Sequence, residues 1–96
     1  MKVVYKYQLE LGVNDILLPQ EAEILKVDIQ HGYTVMWALV DDLMGSTPRR
    51  IMIVGTGSGI QTDETFTMKF INTFTNDNKT LVFHAFEIIP NAPNNQ

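Results

Sequence analysis

The sequence predicts an all-β fold, a single small antiparallel sandwich or barrel of about seven strands. Three observations predict it. Apolar and polar residues alternate with period two from Val3 to Leu11. Clusters of Gly, Asn, Asp and Pro recur between short apolar runs. No stretch sustains a helical period.

The first strand carries Val3, Tyr5, Tyr7, Leu9 and Leu11 on one face. Five such side chains, fully buried, contribute on the order of 10 kcal/mol. A one-residue slip would expose them all, so the register is expected to be firm. "GVND" then reads as a turn, because Gly, Asn and Asp tolerate positive φ. "ILLP" is a short strand stopped by Pro19. Ala22–Gln30 alternates again, with Leu25, Val27 and Ile29 on one face. His31-Gly32 turns the chain into Tyr33–Asp42, which is apolar on both faces and therefore expected to be central in a sheet. These two segments form the expected hairpin. "LMGSTP" reads as a loop, "RRIMIVGTG" as a strand, and "SGIQTDETFT" as a loop with room for a short helical turn. "MKFINTF" and "TLVFHAFEII" are the last strands, joined by the turn "TNDNK". Residues 1–90 are expected to be one β domain and 91–96 a flexible tail.

Composition limits the function. A hydrophobic share of 45% against 19% charged residues is that of a folded domain, not a disordered one. A net charge of −4 argues against a protein that coats DNA or RNA, but it does not oppose a small anion held by local cations. With no cysteine, disulfides and thiolate metal sites are excluded. No apolar run approaches the roughly 20 residues of a membrane helix, and the start lacks the apolar core of a signal peptide. The expectation is a cytoplasmic protein with no membrane partner and no cofactor.

The stretch most open to a chemical reading is "VGTGSGI", Val54 to Ile60. It is not a dinucleotide fingerprint, since Ile60 stands where the third glycine belongs and no amphipathic helix follows. It is not a Walker loop, since no lysine follows the glycines. Two readings remain for Gly55, Thr56 and Gly57: a sharp exit from the sheet, or backbone N–H groups and a hydroxyl that meet a phosphate. Arg49 and Arg50 begin the same strand and point to opposite faces, so one of them at most serves a given site. Trp37 is either a core residue or a stacking platform for a nucleobase. His31 and His84 have no second ligand at metal spacing, so no metal site is expected. Asp41 and Asp42 fall on opposite faces, a poor arrangement for paired acid–base work. The expectation is therefore a binding protein and not an enzyme.

"VVYKYQLE", "ILKVDIQHG", "MWALVDD", "PRRIMIVGTGSGI" and "LVFHAFEI", in this order, resemble a family of very small all-β proteins encoded mainly by bacteriophages. The resemblance runs from about Val3 to Ile89. Its most specific parts are Trp37-Ala38-Leu39-Val40-Asp41, the pair Arg49-Arg50 followed by Val54-Gly55-Thr56-Gly57, and His84 with Phe86-Glu87. The family is similar to the phage anti-CBASS sponges, which bind cyclic dinucleotide immune signals without cleaving them. The resemblance implies a homo-oligomer, dimer or tetramer, in the host cytoplasm. It also implies ligand contacts at Trp37, Arg49, Arg50, Gly55, Thr56, Gly57, His84 and Phe86. Symmetry suits this reading, because an oligomer presents each residue repeatedly to a two-fold ligand. The alternative is a phage module that binds a host protein through an exposed sheet face or edge.

Overall fold

The computed structural model describes residues 1–92. It contains seven strands: β1 (Lys2–Leu9), β2 (Gly12–Pro19), β3 (Glu23–Gln30), β4 (Tyr33–Asp41), β5 (Ser46–Gly55), β6 (Phe66–Thr75) and β7 (Val82–Pro90). They form two antiparallel sheets, a three-stranded one ordered β1-β4-β3 and a four-stranded one ordered β2-β5-β7-β6. The two layers make a sandwich, not a closed barrel. No helix occurs among the described residues, and none there is long and apolar enough to cross a membrane. The expected tail at 91–96 lies largely outside the described residues.

Alternation explains the layers. Met36, Ala38 and Val40 of β4 are at most 1% exposed, as are Ile51 and Ile53 of β5. With Leu9, Leu18, Val27, Phe74 and Ala85 they form one core between the sheets. β4 is central in its sheet, as its two apolar faces require. The β3–β4 hairpin turns through His31 (φ 54°) and Gly32 (φ 82°). Two successive positive φ values give the type I′ turn that matches strand twist.

Three local expectations are corrected. "GVND" is not a turn but the start of β2. The chain reverses at Glu10–Leu11, with Gly12 at φ 97°. Asn14 holds this corner: its amide accepts from the Glu10 N–H at 2.8 Å and donates to the Glu10 carbonyl at 2.8 Å. "STP" belongs to β5, not to a loop. On β1 only Leu9 is fully buried; Tyr5 is 43% exposed, and Leu11 lies beyond the strand at 69%. The register energy of β1 is accordingly smaller than five buried side chains would supply.

The sheets are joined along one side by Asn72 of β6. Its side chain accepts from the Val27 N–H at 2.8 Å and donates to the Val27 carbonyl at 2.7 Å. One amide thus imitates a rung of β-ladder between β3 and β6. Both strands carry an irregularity nearby, at Ile24/Lys26 and at Phe70/Asn72. A bulge bends a strand and raises its local twist. At these two positions it lies where the edge strands approach each other.

Candidate functional site

Arg49 and Arg50 do point to opposite faces. Arg49 shares the inward face with Ile51, and its guanidinium grips Glu87 of β7 with two hydrogen bonds, one of them 2.9 Å from Nη2 to Oε1. Its Nη1 donates to the Ala22 carbonyl at 3.0 Å. Glu87 is the buried carboxylate of the described residues, 6% exposed. The pair raises the Arg49 pKa above its ordinary value, chiefly through the hydrogen bonds to Glu87. Arg49 is thereby committed to the interior, where it ties β5, β7 and the β2–β3 turn together.

Arg50 lies on the outer face of the four-stranded sheet and pairs with Asp15 of β2 at 2.8 and 3.2 Å. That hydrogen bonding holds the Asp15 carboxyl below its ordinary pKa. A group with a depressed folded pKa contributes stability above its unfolded value, near pH 4, and loses it as pH falls through the lower folded value. Asp15→Asn is therefore expected to be slightly less stable than the parent at neutral pH. The gap should close as urea melts are taken below about pH 4. A gap that stays constant down to pH 2 would show that the pair adds nothing.

Gly55-Thr56-Gly57 is the sheet exit. The Ser58 N–H donates to the Gly55 carbonyl at 3.1 Å, closing a turn in which Gly57 has φ 88°. The Thr56 hydroxyl lies 2.7 Å from His84 Nε2 and donates to the Val82 carbonyl at 3.3 Å. His84 Nδ1 lies 2.9 Å from the Thr73 hydroxyl. The imidazole is thus held between two hydroxyls, one on each side. Phe86, two residues on, meets Phe70 edge to face at 5.6 Å.

The outer face of the four-stranded sheet therefore gathers Arg50, His84 and Phe86, with Thr56 at its rim. It does not bring the arginine to the glycines. Arg50 and Gly55 are the two ends of the β5–β7 pairing, roughly 17 Å apart along the strand at the usual rise per residue. Within one chain, the expected pairing of an arginine with the Gly-Thr-Gly turn is absent.

Trp37 belongs to the other sheet. Because Met36 and Ala38 face the core, Trp37 faces outward, half-buried. Its partner on β1 is Lys6 and its partner on β3 is Lys26. The outer face of the three-stranded sheet thus carries a transverse row, Lys6–Trp37–Lys26. Tyr33, 59% exposed, lies four residues away on the same face. Lys6 Nζ donates to Gln30 at 2.8 Å, and Lys26 Nζ lies 3.2 Å from Asp28. The sequence held a signal for the two lysines, since each occupies the polar side of an alternating strand. Their convergence on Trp37 needed the register.

A groove of about 760 Å³ opens where β5 and β7 part, lined by Pro48, Arg50, Phe66, Lys69, Ile88 and Pro90 among others. Arg49, Lys69 and Glu87 also border a second groove, of about 570 Å³, between β3 and β6.

The chain belongs to the family described as Domain of unknown function (DUF7352), which matches residues 1–96. No curated protein and no solved structure matches it.

Proposed function

We propose that this member of the family is a phage anti-defence sponge, which binds a cyclic dinucleotide immune signal and releases it chemically unchanged. The observation that supports this most is the row Lys6–Trp37–Lys26 on an open sheet face. The solvent-facing part of an outward-pointing, half-buried indole can stack on a base whatever its identity, at about 1–3 kcal/mol per base. An ammonium on either side suits the phosphates that a cyclic dinucleotide carries near its bases. Sequestration asks only for such contacts, with no nucleophile or general base. Arg50, Thr56 and His84 lie on the opposite outer face, so a site that uses them together with Trp37 takes them from a second copy. This agrees with the homo-oligomer that the ligand's symmetry favours.

The test is calorimetry against a panel of cyclic dinucleotides, followed by heat release and chromatography of the bound ligand. Trp37→Ala is expected to weaken binding by about five- to 150-fold, the equivalent of one lost stack. Lys6→Ala and Lys26→Ala are expected to weaken it less, each with a shallower salt dependence. Recovery of a linear dinucleotide would make the protein an enzyme. Binding that is unchanged in all three variants would remove the site from this face.

A specific feature favours the second reading, a module that binds a host protein. Val13, Met52, Phe86 and Phe70 lie in one register row across all four strands of the larger sheet. Val13 is 60% and Phe70 56% exposed. An apolar stripe of this kind suits a protein surface better than a nucleotide. Failure to bind any cyclic dinucleotide would transfer the assignment to it.

A further inference from the structure

The groove between β5 and β7 has a cause that can be read residue by residue. The two strands pair from Gly55↔Phe83 to Arg50↔Ile88 and then separate. The next hydrogen-bonded rung of the same alignment, two residues on past Arg49 and Ile89, would set Pro48 opposite Pro90. Neither proline has an N–H, so no ladder bond can close that rung from either side. Both strands continue on their other neighbours, β5 on β2 and β7 on β6. The four-stranded sheet is therefore split at this end, and the split is the groove.

Its walls are unlike the rest of this acidic chain. The two prolines, Phe66 and Ile88 give it an apolar lining. Three cations, Arg49, Arg50 and Lys69, border it against two carboxylates, Asp15 and Glu87. Both carboxylates are engaged by an arginine. Lys69 is exposed and stands opposite Glu87 in the β6–β7 register, but Glu87 is taken by Arg49 and Lys69 makes no ion pair among the described residues. The groove thus holds a positive local balance in a protein of net charge −4, and its uncompensated charge sits beside an apolar slot.

We propose that this groove is a binding site for a small amphipathic anion, with a flat apolar body lying between Pro48 and Pro90 and one carboxylate, sulfonate or phosphate head on Lys69. Apolar walls with a few convergent polar groups are the usual make-up of small-ligand sites. The head group meets a free ammonium, so it displaces no existing ion pair. The site is distinct from the Trp37 face, which lies on the other sheet, and it stands whether or not a cyclic dinucleotide binds there.

The probe is 8-anilinonaphthalene-1-sulfonate, an aromatic body with a single anionic head, titrated into the full chain at neutral pH. Saturable one-to-one binding is expected. Amide shifts should be confined to residues 49–50, 66–69 and 87–89. Lys69→Met, which keeps the stem and removes the charge, should weaken it by about tenfold or more, while Lys69→Arg should stay within about threefold. Trp37→Ala should leave it unchanged, and saturating cyclic dinucleotide should not compete. Indifference to Lys69→Met would overturn the proposal. So would non-saturable binding, or shifts centred on the Val13–Phe70 row, which would mark an apolar surface and not a built site.

Discussion

Glu87→Ala is expected to destabilise the fold by about 3 kcal/mol, the low end of what removing one partner of a buried ion pair costs. The substitution leaves the Arg49 guanidinium without its two charge-assisted bonds, held beneath the sheet by its bond to the Ala22 carbonyl. For a domain of this size that corresponds to a fall in Tm of roughly 12–24 °C. The double change Arg49→Met with Glu87→Leu removes both charges and keeps the volume, so it should recover most of the loss. Urea unfolding of the three proteins checks this. If Glu87→Ala and the double variant are equally stable, the unpaired charge is not the cause. The same result bears on function. An Arg49 held this way supplies no free guanidinium to a ligand, so Arg49→Met with Glu87→Leu should bind nucleotide as the parent does.

Asn72→Leu is the second large effect, at about 3 kcal/mol. Leucine has nearly the same shape but cannot replace either bond to Val27, whose side chain is fully buried. Each buried backbone group left without a partner costs about 1–3 kcal/mol. Asn72→Asp separates the two bonds, since a carboxylate still accepts from the Val27 N–H but repels its carbonyl. It is expected to fall between the parent and Asn72→Leu above the carboxyl's pKa. Hydrogen exchange at the Val27 amide is the direct readout, and it should quicken strongly in the leucine variant only. Unchanged exchange there would mean that the amide is protected by something other than Asn72.

Much of the fold was legible because it rests on local rules. Alternation marked β1 and the Val27 and Ile29 face of β3, although the bulge between Ile24 and Lys26 takes Leu25 off that face and leaves it 47% exposed. A two-sided apolar run marked β4 as central, and His31-Gly32 marked the hairpin between β3 and β4. The misreading at Gly12-Val13-Asn14-Asp15 has a physical origin. Asn is a turn residue when its side chain serves its own loop, and here Asn14 does serve the preceding corner, but from within the strand that follows. The candidate site was less legible because its pairings span the chain. Glu87 lies 38 residues from Arg49, and Asp15 lies 35 from Arg50. Nothing local to the arginines shows that one is internal and the other surface-bound. The opposite pointing of the pair was readable from strand geometry, whereas the distance from Arg50 to Gly55 was implicit in the strand's length and only the continuous β5 made it plain. Lys69 carried no signal at all, because its interest comes from two prolines, at 48 and 90, meeting across a split.

The strand order has a kinetic consequence. β1 and β2 are adjacent in sequence yet enter different sheets, β1 against β4 and β2 against β5. The pairs that close locally are the hairpins β3–β4 and β6–β7, while the remaining pairings join segments far apart in the chain. Loop-closure entropy has to be met before such pairings return any energy, which places folding in the millisecond-to-second range typical of β sandwiches. The two hairpins can form early as seeds, but each sheet then waits for a strand from the same N-terminal segment. Once β1 has docked, the short link through Glu10 and Leu11 delivers β2 to the other layer at little further entropic cost. Neither layer can be finished alone, so the sandwich should assemble and come apart as one unit.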